Sequence, residues 1–548
     1  MIRQAFLQPI VRGCAALAAL VLLAVAAPPA SARTDVAPYL EVQQVLSADL
    51  NGGDVLTYTA AVAGIDGRVS ARRFEAQISY RYEHRFAWDD DLSDDNVHTG
   101  IAQARLDVVP NLLSLDAGAL AARSRADARG PVLGFNTVDA PNVAEVYSAY
   151  VGPTLSTRVG GLDVGASYRL GYVHVDDHSL AGDPDRPAFD PYDSSVVHNA
   201  DASVGMGPGR LPFGWTIGAG YVREEVDRLD REFEGQYVRG DIVVPVSHSL
   251  ALTAGVGYED IEASQQDILR DVGGVPIISP DGDLIADPTK PRLLTYDTDG
   301  LIYDAGVIWR PSRRTELQAR VGHRYGGTTV VGSLRHALSD AYGLSANVYD
   351  SVSTFGQLTL TNLNGLPANF NVNPNPLSPG LGGVGGCVFG EEGGSGVCFD
   401  DAFQSIDSSN FRIRGANILF SGGRGPWGMG VGAGYAQRRY VQPGITLDGF
   451  TLDGRKDHSF TLNGYVSRAL SRTSSVNVNA YAAWFDSGLP GSPESVGAGI
   501  SGSYHRTLWI DRLQGYAAAG LFTSDSGDFD GDFDSTIASG LVGLRYTF

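Results

Sequence analysis

Two cysteines, three histidines and several acidic tracts are the residues whose types and spacing point toward chemistry. Cys387 and Cys398 stand in the glycine-rich run GGVGGCVFGEEGGSGVCFD. In an oxidising compartment two nearby cysteines in such a loop form a disulfide, with a model loop-entropy gain of about 3 kcal/mol. A metal or redox pair is the rival reading, but the spacing is not C-x-x-C and no histidine is close. Asp528, Asp530, Asp532 and Asp534 alternate in SDSGDFDGDFDS, a spacing at which carboxylates hold Ca²⁺. Phe533 stands where an EF-hand needs glycine and no Glu closes that loop, so a solvated acidic tip is the alternative. His84, His174 and His323 fall on apolar faces, with no Ser or Cys beside them in a nucleophile motif. The residues therefore name no catalytic group and no cofactor, and the protein reads as a non-enzyme.

Composition narrows the classes further. The 548 residues carry a net charge of −21, with 43% hydrophobic residues and 69 glycines. That is too hydrophobic for a disordered chain and too acidic for a nucleic-acid partner. Residues 1–32 read as a secretory signal. Arg3 and Arg12 form a basic start, CAALAALVLLAVAA an apolar middle, and Ala30-Ser31-Ala32 a cleavage site. After it no run of about 18 apolar residues remains, so a spanning helix is excluded from 33–548. A closed β-barrel is the other way across a bilayer.

The elements that would hold such a barrel are legible as period-two segments. In 73–86, Phe74, Ala76, Ile78, Tyr80, Tyr82 and Phe86 oppose Arg73, Glu75, Gln77, Ser79, Arg81, Glu83 and Arg85. The alternation returns in 163–174, 316–325, 429–435, 476–484 and 496–504. Short connections (70–72, 109–111, 159–161, 247–249, 311–314, 339–341, 471–474) alternate with long ones (88–96, 124–144, 176–196, 224–235, 260–298, 350–407, 439–457, 486–494, 523–535). This asymmetry predicts an all-β fold: one transmembrane antiparallel up-and-down barrel over 33–548, of about 22 strands within a range of about 18–24. The six tryptophans, 88, 215, 309, 427, 484 and 509, fall at strand ends, as membrane-interface girdles require. Outer-membrane lipid and lipopolysaccharide are the expected surroundings. The acidic loop tips, such as Asp89-Asp90-Asp91, would meet lipopolysaccharide phosphates through divalent ions.

The polar face would line the lumen with Arg73, Glu75, Arg81, Glu83, Arg85, Arg169, Glu316, Arg320 and Arg324. Such charges set solute selectivity if open and a mutually paired wall if not. The first strand, expected from Pro38, leaves no room for an N-terminal plug. The filler is expected in the long extracellular loop 350–407, of which 351–390 is uncharged. That loop folds inward and constricts the pore, or stays outside.

The chain ends TIASGLVGLRYTF, with alternating apolar positions up to Tyr546 and Phe548. This resembles the C-terminal signal of bacterial outer-membrane proteins, which implies recognition by the barrel assembly machinery. The stretch 38–102 and VYSAYVGPTL at 146–155 resemble a proteobacterial family of outer-membrane barrels associated with PEP-CTERM/exosortase sorting and exopolysaccharide systems. The resemblance implies polysaccharide-export components as partners, and either porin-like or secretion-linked passage or a non-conducting scaffold. Similar chains sometimes carry the name of the preprotein translocase subunit YajC, a small single-helix protein that no residue here supports.

Overall fold

The computed structural model describes residues 33–548 except 54, 89–94, 127–142, 177–191, 278, 280–283, 373–374, 378–385, 392, 400, 404, 407–408, 442–452, 489–493, 510 and 527–532. The signal segment 1–32 and Asp528, Asp530 and Asp532 of the candidate Ca²⁺ tip lie outside these residues, as do Asp89, Asp90 and Asp91.

Alternation of apolar and polar residues does build the strands. They are β1 Arg33–Asp49, β2 Val55–Ala71, β3 Phe74–Ala87, β4 Asp95–Val109, β5 Leu113–Arg125, β6 Val143–Val159, β7 Leu162–Asp176, β8 Ser194–Met206, β9 Gly214–Val226, β10 Arg231–Pro245, β11 Leu250–Gln265 and β12 Leu293–Ser312. There follow β13 Thr315–Arg324, β14 Gly327–Ala337, β15 Tyr342–Ser353, helix α1 Phe355–Asn364, and the short β16 Cys387–Phe389 and β17 Gly396–Cys398. The chain ends with β18 Asn410–Arg424, β19 Trp427–Val441, β20 Lys456–Ser471, β21 Ser474–Asp486, β22 Ser495–Trp509, β23 Leu513–Ser526 and β24 Phe533–Thr547. All but β16 and β17 join one antiparallel sheet of 22 strands, each paired with its sequence neighbour. β1 then pairs with β24, from Tyr39↔Thr547 to Asp49↔Ile537, and the sheet becomes a ring.

The two faces of the ring differ chemically. On β1, Leu40, Val42 and Leu46 are more than half exposed, while Glu41, Gln43, Val45 and Ser47 between them are buried. Across the seam, Val542, Leu544, Tyr546 and Phe548 continue the exposed apolar face. The same outward face carries Ile217, Val256, Leu301, Val330 and Ile500 on other strands. Apolar side chains bare on the outside and polar ones enclosed are the inverse of a soluble sandwich, and the form of an outer-membrane barrel. Among the described residues no helix is long and apolar enough to cross a membrane.

One rim carries short turns, including 72–73, 160–161, 425–426 and 472–473, and the other carries most of the long loops. That second rim is less uniform than the sequence suggests. β13 and β14 are joined there by Tyr325 and Gly326 alone, both left-handed (φ 54° and 67°), the two-residue turn that matches strand twist. The connection expected over 224–235 shrinks to 227–230, because Glu224 and Phe233 still alternate inward as strand residues. β1 starts at Arg33, ahead of the expected Pro38.

Candidate functional site: the lumen insert and its chamber

The segment between β15 and β18 does not extend away from the rim but turns into the ring. Thr354 caps α1, its hydroxyl accepting from the Gln357 N–H at 3.2 Å and donating to the Glu224 carboxylate of β9. The helix lies against β5, β6, β7 and β8. Phe355, Leu358, Leu360 and Leu363 join Leu120, Val146, Val173 and Val197 of the inner wall in one buried cluster. Gly171 sits under Leu360, where any Cβ would clash.

Beyond the helix the chain crosses to other walls. Gln77 on β3 holds Phe370 from both sides: its Oε1 accepts from the Phe370 N–H at 2.9 Å, and its Nε2 donates to the Phe370 carbonyl at 2.7 Å. Gln103 on β4 donates to the Leu363 carbonyl at 2.7 Å. Asn375 donates to Ser501 Oγ on β22 at 3.0 Å, and Leu377 enters a cluster with Val45, Tyr58, Tyr481, Tyr516 and Leu541. Cys387 and Cys398 are disulfide-bonded and pair across the β16–β17 hairpin. That hairpin rests on β19, whose inward positions 428, 430, 432 and 434 are all glycine. A Cβ at Gly432 would stand 2.5 Å from Cys387 Sγ, and one at Gly430 2.7 Å from Phe389. At the far end of the insert, Arg438 pairs with Asp457 (2.5 Å) and donates to the Ser405 carbonyl at 3.0 Å. The insert thus touches β3 to β9 on one side of the ring and β19 and β22 on the other.

The charged residues named from sequence fall into compensated groups. Arg81 bridges Glu41 and Glu83, and Arg85 pairs with Glu83 at 2.8 Å. Arg169 meets Asp116 at 2.9 Å. Arg320 meets Asp241 (2.6 Å) and Asp304 (3.2 Å), both shared with Arg239. Arg324 pairs with buried Glu259 at 2.6 Å. Glu316 pairs with Arg310 near the short-turn rim, and Glu75 is exposed near that rim. Arg73 is a correction: it lies in the 72–73 turn rather than on a strand, because β3 begins one residue later. These groups form paired patches instead of an open ring of charge.

Arg81, named from sequence, lines a chamber of about 1280 Å³ between the insert and the wall, but sequence reasoning missed the uncharged polar residues that share it. Asn463, Asn477, Asn479 and His505 face it from β20, β21 and β22, with Phe370, Asn371 and Phe389 on the insert side. It reaches the short-turn rim at Arg314 and Ser339. The one available signal was the alternation of Asn477, Asn479 and Tyr481 on a face otherwise expected to hold charges. Among the described residues no group of three or more His, Cys, Asp or Glu is placed to hold a metal ion.

No protein-family model matches the chain, and no curated protein matches it. Among solved structures, the FrpB iron transporter from Neisseria meningitidis is similar at TM-score 0.44 and 10% identity, over 93% of this chain and 82% of that one. The ferric-catecholate import receptor Fiu from E. coli K12 gives 0.44 and 10%, over 94% and 82%. The siderophore receptor PiuA from Acinetobacter baumannii gives 0.44 and 8%, over 93% and 82%. Likeness at this level carries neither ligand nor activity across to this chain. What the chain's own geometry establishes is an outer-membrane β-barrel with an internal insert.

Proposed function

We propose that the protein is a gated outer-membrane conduit whose lumen is held shut by the described residues of the segment between β15 and β18. The observation that carries this reading is the attachment of one continuous segment to opposite walls, at Gln77, Gln103, Glu224, Gly432 and Ser501. Passage of a solute then requires the insert to move or rearrange. The long-loop rim faces outward from the cell and the short-turn rim the periplasm, as in barrels of this type. The chamber would then serve the periplasmic side.

Placement in an envelope exopolysaccharide system, with porin-like or secretion-linked passage, rests on the resemblance of 38–102 and 146–155 alone. The test is single-channel recording in planar bilayers of the intact protein and of a chain lacking 356–400. Intact protein should show small or rare current steps, and the deletion should show large, stable ones. Equal conductance in the two would refute the gate. A scaffold without flux would leave both silent, and liposome swelling would agree.

A further inference from the structure

We propose that the chamber between the insert and strands β20–β22 is a binding site for a neutral polyhydroxylated solute, such as a segment of an oligosaccharide chain. The inference deepens the conduit reading and rests on it for its biological sense, though the site can be tested alone.

Three observations converge. First, Asn463 and Asn477 line the chamber yet are only 3% and 5% exposed. Among the described residues neither Nδ2 nor Oδ1 of Asn463 has a hydrogen-bond partner, nor has Nδ2 of Asn477. Buried polar atoms are nearly always paired, and a bare one is costly. Two such amides on one wall, their unpaired atoms enclosed rather than open to the chamber, point to a partner met when the side chains turn toward a bound ligand.

Second, the strand register gathers hydroxyl groups around them. Asn463 lies opposite Tyr481, whose hydroxyl also has no partner among the described residues. Asn477 lies opposite Ser467 on one side and Ser503 on the other. Asn479 lies between Tyr465 and Ser501. An amide presents a donor and an acceptor side by side. A sugar hydroxyl also donates and accepts, so one amide serves a vicinal diol as no single-sign charge can.

Third, the site offers a solute little net charge. Among the described residues the strand neighbours of the two amides (Ser467, Tyr481 and Ser503) are uncharged, and charges elsewhere in the lining are opposed: Arg81 by Glu41, Arg545 by Asp66 at 2.6 Å, Arg314 by Asp340 at 3.0 Å, and Glu391 by Arg68 at 2.6 Å. Aromatic rings complete it. Tyr465 meets Phe389 edge-on at 5.0 Å, and Tyr516 stacks on His505 at 5.5 Å. Such rings suit the C–H faces of pyranose rings. The volume exceeds the range of about 300–1000 Å³ usual for single small ligands, which argues for more than one sugar unit.

The test is calorimetric titration of maltohexaose into the full chain in detergent, beside the Asn463→Leu/Asn477→Leu double variant. A polyethylene glycol of matching length and a charged oligogalacturonate serve as comparison probes. The expected result is saturable maltohexaose binding, weakened about tenfold or more in the variant, with both comparison probes weaker than maltohexaose. Because the substitutions remove unpaired polar atoms, the variant should keep its heat-modifiable mobility and melt no lower than the parent. Absence of saturable maltohexaose binding to the parent overturns the proposal, as does equal binding by parent and variant. A variant that melts lower overturns it too, since the amides would then be paired through water for stability. The deletion of 356–400 reads the gate without any sugar, so the two ideas fail separately.

Discussion

Replacing Gln77 by leucine removes the amide that holds Phe370 from both its N–H and its carbonyl. Gln77 is 9% exposed and Phe370 2%, so water is a poor substitute for either bond. Each backbone group left bare in such a place costs about 1–3 kcal/mol, so the pair together weakens docking by about 2–6 kcal/mol. At about 1.4 kcal/mol per tenfold, local opening of this part of the insert becomes roughly 30-fold to 10⁴-fold more frequent. Leucine keeps the volume near that of glutamine, which separates lost hydrogen bonding from a lost contact. The assay is amide hydrogen exchange of a peptide covering 366–372, in micelles, with peptides from β21 as an internal reference. Exchange should accelerate at 366–372 and stay unchanged in β21, and bilayer recordings should show more frequent openings. If 366–372 exchanges within about threefold of the parent, the amide does not anchor the insert and the docking argument fails.

Four further outcomes follow from the same geometry. Thr354→Ala should cost about 1 kcal/mol of insert stability through loss of the α1 cap, seen as faster proteolysis of 354–409. Reducing the Cys387–Cys398 bond, or replacing both cysteines by serine, should loosen the hairpin by about 2–3 kcal/mol and raise its exchange while the barrel's heat-modifiable shift persists. Gly432→Val should displace the hairpin even with the disulfide intact, because its side chain would occupy the space of Cys387 Sγ, and channel openings should increase. Arg438→Ala should leave Asp457 buried and unpaired by its guanidinium, at about 3–5 kcal/mol, lowering the melting temperature more than the insert variants do.

The barrel was legible from the sequence because its rules are local. A strand needs alternation, a turn needs two or three suitable residues, and both fit in a window of fifteen. Phe74 to Phe86 reads as a strand with no knowledge of its neighbours, and the count of about 22 strands agrees with the ring observed. The insert obeys no such rule. Gln77 and Phe370 are 293 residues apart, and no periodicity links them. The one local sign was the run of glycines at 428, 430, 432 and 434, a face with nothing of its own to fill the space. The unpaired amides were hidden for a related reason. Asn463 and Asn477 look like ordinary lumen residues until three strands and the insert close around them. The charges were half legible: a mutually paired wall was one of the two readings open for Arg320, but its partners Asp241 and Asp304 come from distant positions that no local pattern names.

The seam between β1 and β24 has a consequence for biogenesis. It joins Tyr39 to Thr547, so the hydrogen bonds that complete the cylinder unite the first and last strands of the sheet. Until that zipping occurs, an intermediate exposes two raw strand borders, each with unsatisfied amides that hydrocarbon cannot solvate. Pairings of such long sequence separation are also slow to form. Newly exported chains must therefore be sheltered until the final strand arrives, and a lesion in Leu544 or Tyr546 would be felt first as failed maturation, before any change in transport.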